Sequence, residues 1–265
     1  GTDLPLVLIS HGYGGWMGGH ADTAIALANA GFVVAAPSHT GNTFKDMSST
    51  TAHWVLDRPR HISKTIDYLQ QQWSARNALQ KDKVGVFGFS AGGMTALSLL
   101  GAIPSKQKAK AHCEKNPAEF ACKEGLVAEL FAEDTPDLPA SAWGADSRIS
   151  AAIMAAPGLA FAYDEQTLSN ITTPVQLWSG MADKRVPHAT NTAPLAIALT
   201  GTVETHWVNK AGHFSFMVQS CTAKLKEFEP DTWDFLCVDQ EGFDRWKFHD
   251  DMNAEMLRFF KLHLL

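Results

Sequence analysis

Five residues in the first half of the chain have the types and spacing of a nucleophilic serine site. Residues 88–92, Gly-Phe-Ser-Ala-Gly, match the pattern GxSxG between an apolar run at 84–89 and a helix predicted over 91–100. In that setting the pattern predicts a sharp strand-to-helix turn that strains Ser90 and exposes its hydroxyl for attack on a carbonyl carbon. The alternative interpretation is a plain Gly-rich turn between a strand and a helix.

A nucleophilic serine needs a base and an acid that orients the base. His213 and Asp183 each lie just beyond the carboxyl end of a predicted strand, which is the edge where parallel sheets place ligands. We therefore predict a catalytic triad of Ser90, Asp183 and His213. Asp164, beyond another predicted strand, is the alternative acid.

Acyl transfer also needs N–H groups that bind the oxyanion of the tetrahedral intermediate. The residue after the nucleophile supplies one, so we predict the amide of Ala91 as the first donor. The first predicted strand leads into residues 11–15, His-Gly-Tyr-Gly-Gly, and we predict the amide of Tyr13 as the second donor, with Gly14 as the next choice. His11 is interpreted as a brace for this loop. The alternative is a flexible turn.

Several aromatic residues are candidates for the wall of a substrate pocket beside these motifs. Their alternative role is packing in the core. His39 follows the end of a strand and is a further candidate for the pocket. The predicted lining residues are Trp16, Phe89, Trp143 and Phe214.

Apolar runs and amphipathic segments alternate along the chain, which favours an α/β fold with a mainly parallel sheet covered by helices. Residues 1–265 are predicted to form a single domain. Strands are predicted over 4–10, 32–37, 84–89, 149–156, 175–179 and 203–208, and helices over 20–30, 57–74, 91–100, 188–199 and 253–265.

Two segments interrupt this alternation. Residues 104–147 contain no strand pattern, and apolar positions between 120 and 131 share one helical face, which predicts a helical, lid-like insertion. Residues 215–248 are rich in aromatic side chains and are predicted to be an irregular segment that packs on the core.

Composition excludes several classes of protein and partner. Hydrophobic residues make up 45% of the chain and charged residues 19%, which is typical of a globular protein. The net charge of −6 gives no electrostatic footprint for nucleic acid. No apolar run reaches the length of a transmembrane helix. The expected partner is a small-molecule substrate, and the oligomeric state stays open.

The four cysteines form two local pairs in sequence, Cys113 with Cys122 and Cys221 with Cys237. Four cysteines allow three connectivities, and we favour two sequential disulfides, with four reduced thiols as the alternative. Disulfides favour a periplasmic or secreted protein. The chain begins Gly-Thr-Asp without a methionine, so we expect it to be processed or trimmed. Zinc-ligand spacing is missing, and we predict no metal and no cofactor.

The sequence resembles serine esterases of the α/β-hydrolase superfamily, and within it the dienelactone-hydrolase-like and platelet-activating-factor-acetylhydrolase-like proteins. The order Ser, Asp, His is that of α/β-hydrolases. The resemblance implies the α/β-hydrolase fold and hydrolysis of carboxylic esters with a short or medium acyl group or an aromatic group. It is carried by residues 10–15, 36–43, 58–60, 88–93, Asp183 and 212–216.

The sequence departs from these relatives in three places. Dienelactone hydrolases use a cysteine nucleophile, whereas position 90 is serine, which favours ordinary carboxylic esters. The animal acetylhydrolases place their acid near the position of Asp164. The residues at the end of that strand are here Ala-Ala-Pro at 155–157, so Asp183 is the preferred acid. Such folds also usually carry strands before the first strand seen here, so we expect either removed residues or a shortened sheet.

Three alternative functions stay open, of which two use the same residues. An acyltransferase or a peptidase would employ the same triad on another acceptor or on an amide. A non-catalytic binding protein with a hydrolase fold normally lacks a member of the triad, and all three residues are present here.

Overall fold

A computed structural model describes residues 3–132, 139–218 and 221–265. Its central sheet has the strand order β2-β1-β3-β4-β5-β6, and every neighbouring pair is parallel. The predicted parallel sheet covered by helices is confirmed. The strands are β1 Leu4–Ser10, β2 Val33–Ala35, β3 Leu79–Phe89, β4 Ile149–Ala155, β5 Val175–Gly180 and β6 Val203–Val208.

Helices connect the strands and cover both faces of the sheet. Short 3₁₀ segments lie at Arg76–Ala78, Ala140–Trp143, Ala160–Ala162 and His213–Phe216. The α-helices are α1 Ala21–Asn29, α2 Thr51–Gln71, α3 Ala91–Leu99, α4 Lys106–Lys115, α5 Phe120–Lys123, α6 Leu126–Leu130, α7 Glu165–Ser169, α8 Thr192–Ala198, α9 Ala223–Phe228, α10 Pro230–Cys237 and α11 Arg245–Leu264.

The apolar strands separate two hydrophobic cores because successive side chains of a strand point to opposite faces. Leu6 and Leu8 of β1 pack in the core that contains Ile62 of α2 and Leu97 of α3. The other core contains Leu27 of α1 and aromatic and methionine side chains of α11. A strand buried on both faces reads as a continuous apolar run, which is why the bounds of β1 are those predicted.

The described residues of the segment 104–147 form helices, as predicted, but the single helical face expected between 120 and 131 is divided. Gly125 has φ of 73° and separates α5 from α6. Residues 133–138 of this insertion lie outside the described residues.

The prediction that residues 215–248 are irregular is wrong. This segment contains the end of the His213–Phe216 turn, helices α9 and α10, and the beginning of α11. Asp244 caps α11, because its side chain accepts a hydrogen bond from the amide of Lys247 at 3.0 Å. The helix therefore begins eight residues before the predicted start. Residues 219 and 220 lie outside the described residues.

Candidate active site

Ser90 occupies the sharp turn between β3 and α3. Its backbone has φ of 54° and ψ of −115°, a conformation that costs an ordinary side chain about 1–3 kcal/mol. A Cβ atom at Gly88 would lie 2.1 Å from the carbonyl oxygen of Gly92, and one at Gly92 would lie 1.9 Å from that of Ser10. The two glycines of the motif are therefore required by the close approach of strand and helix.

Three side chains far apart in sequence form one hydrogen-bonded relay. The Nε2 atom of His213 lies 3.0 Å from Oγ of Ser90, and its Nδ1 atom lies 2.8 Å from Oδ2 of Asp183. All three residues are buried. This geometry allows the imidazole to take the proton of the serine hydroxyl while the carboxylate fixes its orientation.

The loops after β5 and β6 bring Asp183 and His213 together. The amide of Ala182 donates to the carbonyl oxygen of Ala211 at 3.0 Å, which joins the two loops. The amide of Gly212 donates to Oγ of Ser215 at 2.8 Å and holds the turn that carries the imidazole. Both side chains thus approach Ser90 from the carboxyl edge of the sheet.

The alternative acid, Asp164, has a different environment. Its side chain caps α7 by accepting hydrogen bonds from the amides of Gln166 at 2.8 Å and Thr167 at 3.3 Å. Asp183 is the carboxylate hydrogen-bonded to the imidazole of His213.

The loop after β1 passes beside the nucleophile's turn, since a Cβ atom at Gly12 would lie 3.4 Å from Cβ of Ser90. The amide of Gly15 donates to the carbonyl oxygen of Gly12 at 3.1 Å and closes a tight turn. Within the described residues, neither the amide of Tyr13 nor that of Ala91 donates to a protein acceptor. Both donors are therefore available to an oxyanion.

His11 holds this turn from beneath. Its Nε2 atom accepts the amide of His39 at 3.1 Å, so its Nδ1 atom carries the proton and donates to the carbonyl oxygen of Gly12 at 2.7 Å. Burial and the nearby Arg58 lower the pKa of His11 to about 3, which keeps the ring neutral. His39 is also buried beneath the loop, where its Nε2 atom lies 2.9 Å from Oγ of Ser10.

A cavity of about 590 Å³ opens above Ser90 and His213. Trp16, Phe89 and Phe214 line it, whereas Trp143 does not. The prediction for Trp143 is wrong, because this side chain is buried beside Phe131 at a second cavity of about 620 Å³.

Two segments remote in sequence complete the wall of the cavity, and no pattern in the sequence predicted the second of them. The insertion contributes Glu119, Phe120, Ala121 and Leu126, and the segment after the histidine loop contributes Thr232, Phe235 and Leu236.

Arg185 joins these two walls. Its Cζ atom lies 3.4 Å from the ring centre of Phe120 and 5.0 Å from that of Phe235. Stacking of a guanidinium on aromatic rings contributes about 0.5–2 kcal/mol per contact. Glu119, the other charged residue of the lining, is paired with His112 at 2.7 Å. The remaining lining is predominantly apolar and aromatic.

Each of these two wall segments also contains a disulfide bond. The structure joins Cys113 to Cys122 beside α5, and Cys221 to Cys237 at the end of α10. The pairing is the sequential one among the three connectivities. Because Phe120 and Leu236 are close in sequence to these bonds, the disulfides restrain lining residues of the cavity.

No group of three or more His, Cys, Asp and Glu side chains in ranges 3–132, 139–218 and 221–265 is arranged to hold a metal ion. No helix of the structure, in the same ranges, is long and apolar enough to cross a bilayer.

A comparison with known protein families agrees with this architecture. Residues 5–121 match the family model described as alpha/beta hydrolase fold. The matched range extends from β1 into α5 and includes the Ser90 turn. Together with the parallel sheet, the match shows that the chain has the α/β-hydrolase fold, and it supports a hydrolase of that superfamily.

Proposed function

We propose that this hydrolase of the α/β-hydrolase fold is a serine carboxylesterase, with Ser90 as nucleophile, His213 as general base and Asp183 as the residue that orients the imidazole. One observation carries the proposal, namely the unbroken relay of hydrogen bonds between these side chains, which ends at a serine hydroxyl facing an apolar cavity.

The proposed reaction has two steps. Oγ of Ser90 bonds to the ester carbonyl carbon while Nε2 of His213 takes its proton, and the imidazolium then protonates the departing alcohol. Water attacks the resulting acyl-enzyme, His213 accepts a proton from it, and the carboxylic acid leaves with the hydroxyl of Ser90 restored.

The amides of Tyr13 and Ala91 form the proposed oxyanion hole. Support comes from the lack of a protein acceptor for either amide in the described part of the chain, and from the tight turn of Gly12–Gly15. The loss of one such donor typically lowers kcat about 10²- to 10³-fold.

The substrate class proposed is a carboxylic ester with a short or medium acyl group or an aromatic group. The cavity volume of about 590 Å³ and the aromatic lining by Trp16, Phe89 and Phe214 support this choice. We place the chain with the dienelactone-hydrolase-like and platelet-activating-factor-acetylhydrolase-like esterases, with serine instead of cysteine at position 90.

Residues 104–147 are proposed to act as a lid within a single domain, since Phe120 and Leu126 contribute to the cavity wall. The two disulfides are compatible with a periplasmic or secreted location, which we propose for the protein. Mass spectrometry of the protein isolated from its native source, with thiols alkylated before reduction, tests the location through the oxidation state of the four cysteines.

The test of the proposed activity is hydrolysis of p-nitrophenyl esters from acetate to palmitate. We expect turnover to peak at short or medium acyl chains and to disappear in Ser90→Ala. Ser98→Ala is the matched control, because its hydroxyl lies 3.0 Å from Oη of Tyr163 in the core. Activity that survives in Ser90→Ala would overturn the proposal.

A further inference from the structure

The guanidinium of Arg58 is completely buried beneath the candidate oxyanion hole. It donates from Nη2 to the carbonyl oxygen of His11, from Nε to Oγ1 of Thr95 at 3.2 Å, and from Nη1 to Oδ1 of Asn42 at 2.5 Å. All three acceptors are neutral. Fully buried arginine is rare unless the charge is paired, so its position calls for an explanation.

These hydrogen bonds connect the two segments that carry the candidate oxyanion donors. The carbonyl of His11 belongs to the peptide group that directly precedes the Gly12–Tyr13 peptide, which contains the second donor. Thr95 in turn donates to the carbonyl oxygen of Ala91 at 3.0 Å, in the first turn of α3. One guanidinium therefore bonds to the first segment directly and to the second through Thr95, which needs the several fixed donors of an arginine.

The positive charge of Arg58 also lacks an anionic partner among the described residues. The ring of Trp54 lies 5.8 Å from Cζ of Arg58, and such a contact offsets only part of a buried charge. Burial is the only resolved influence on its pKa, which it lowers to about 9, so the group remains charged at neutral pH. Three histidines face it, namely His11, His39 and His61. Burial lowers the pKa of each of them, and the charge of Arg58 lowers it further. The carboxylate of Asp57 opposes this shift at His61, whose pKa still lies below its ordinary value, so all three rings are neutral at neutral pH.

A buried cation without a counter-charge is costly in the resting protein. In the proposed reaction a negative charge forms on the oxyanion bound by the amides of Tyr13 and Ala91, in the two segments that the hydrogen bonds of Arg58 reach. In a water-excluded site, a fixed positive charge stabilises that anion more strongly than it stabilises the neutral ester.

We propose that Arg58 is a positioning residue that holds the two oxyanion donors in register and whose positive charge, unpaired with any described anion, favours the anionic tetrahedral intermediate over the bound ester. The inference rests on the proposed esterase function. It assigns a role in the reaction to a residue that does not touch the substrate.

The decisive variant is Asn42→Asp, which replaces an amide by a carboxylate of the same shape. Oδ1 can still accept the hydrogen bond of Arg58, and the buried Nδ2 atom, which has no partner in the described structure, is removed. We expect the melting temperature to be unchanged or higher. Since the new carboxylate neutralises Arg58, we expect kcat for p-nitrophenyl butyrate to fall about tenfold or more with little change in KM.

Two probes separate the electrostatic role from a purely structural one. 1-Butaneboronic acid forms an anionic tetrahedral adduct with a catalytic serine, whereas N-phenylbutyramide is a neutral analogue of the bound ester. We expect the Asn42→Asp substitution to lower the affinity for the boronate by the same factor as it lowers kcat. The affinity for the amide should stay unchanged. Asn170→Asp, at the exposed end of α7, is the control for an added negative charge. It should change neither kcat nor the affinity for the boronate.

A second pair of variants keeps the test independent of the folding of Asn42→Asp. Arg58→Lys keeps the positive charge but loses the planar set of N–H donors of the guanidinium. At an equal folded fraction, we therefore expect Arg58→Lys to have a higher kcat and a higher affinity for the boronate than Arg58→Gln. The inference is overturned if kcat and boronate affinity are unchanged in Asn42→Asp, or if Lys and Gln are equivalent. If the unmodified protein hydrolyses no ester and its Ser90 does not bind the boronate, the esterase proposal itself fails.

Discussion

The carboxylate of Asp183 contacts the imidazole of His213 through only one of its oxygen atoms. Oδ2 lies 2.8 Å from Nδ1 of the ring, while Oδ1 accepts the backbone amides of Arg185 and Val186, each at 2.8 Å. The backbone thus fixes the plane of the carboxylate, and the carboxylate fixes the ring. The same loop then places Arg185 against the cavity walls.

This division of the two oxygen atoms predicts different results for two substitutions of Asp183. Asp183→Asn keeps the acceptor for both amides but presents N–H to the imidazole and so favours the wrong tautomer. We expect kcat to fall about 10⁴-fold with an unchanged melting temperature. Asp183→Ala should lose similar activity and, in addition, lower the melting temperature because the loop loses its anchor. Ester kinetics and thermal melts distinguish the two, and equal melting temperatures would contradict the explanation.

The approach of α3 to β1 predicts that Gly92→Ala is severely destabilising. The added methyl group would lie 1.9 Å from the carbonyl oxygen of Ser10, a backbone atom that cannot move without displacing the strand. We expect a loss of more than about 4 kcal/mol in the free energy of unfolding, or no soluble protein. Gly212→Ala is the control, since its nearest neighbour would be Oγ of Ser215 at 3.8 Å. A normally folded Gly92→Ala protein would show that the helix can shift.

The parts of the fold that could be predicted from sequence are those whose residues carry a strong local pattern. Strand β6 has the predicted bounds, and α3 ends one residue before the prediction. Helix α2 begins at Thr51, six residues before the predicted start, and contains Pro59 in its interior. Proline is favoured in the first turn of a helix, so the residues around Pro59 by themselves favour a helix that begins near 57. Packing of Trp54 and Val55 in the core extends the helix.

The parts of the site that could not be predicted from the sequence depend on contacts between residues far apart in the chain. Ser90, Asp183 and His213 each follow a strand, so their shared edge of the sheet could be inferred. Arg58 makes its hydrogen bonds to residues 16 to 47 positions away, and nothing near it in sequence indicates burial. The wall formed by Phe235 and Leu236 is equally remote from the nucleophile in sequence. Helices α9 and α10 contain no buried residue, so no core-facing side of either helix could be predicted from the sequence.

The two disulfides are expected to differ in what they stabilise. Cys113 and Cys122 pack against the hydrophobic core, whereas Cys221 and Cys237 join a segment whose helices contain no buried residue. Replacing either pair by serine should lower the free energy of unfolding by about 2–4 kcal/mol through the lost loop closure. The first pair closes the shorter loop but should cost more, because its serine hydroxyls would lie against core side chains. Replacing the second pair should raise KM more, because Phe235 and Leu236 lose their restraint. Equal KM values in both double variants would argue against a role for α10 in binding.

Buried neutral histidines predict that the protein loses stability in mild acid. Burial lowers the pKa of His20 from 6.5 to about 4, and burial together with Arg58 lowers that of His11 to about 3. Between those values and 6.5 the unfolded chain binds protons that the folded chain does not, so the stability present above pH 6.5 is lost as the pH falls. Each imidazole should contribute a slope of up to about 1.4 kcal/mol per pH unit.

His20→Leu isolates one of these contributions. Both ring nitrogens of His20 lack a hydrogen-bond partner in the described structure, and the ring lies 5.1 Å from Phe87 and 5.3 Å from Phe89 between ring centres. A leucine there removes the proton uptake of the unfolded chain without removing a hydrogen bond. We expect urea unfolding at pH 5 to show a smaller loss of stability, relative to pH 8, in His20→Leu than in the unmodified protein. Parallel pH curves for the two proteins would mean that His20 is not responsible for the acid sensitivity.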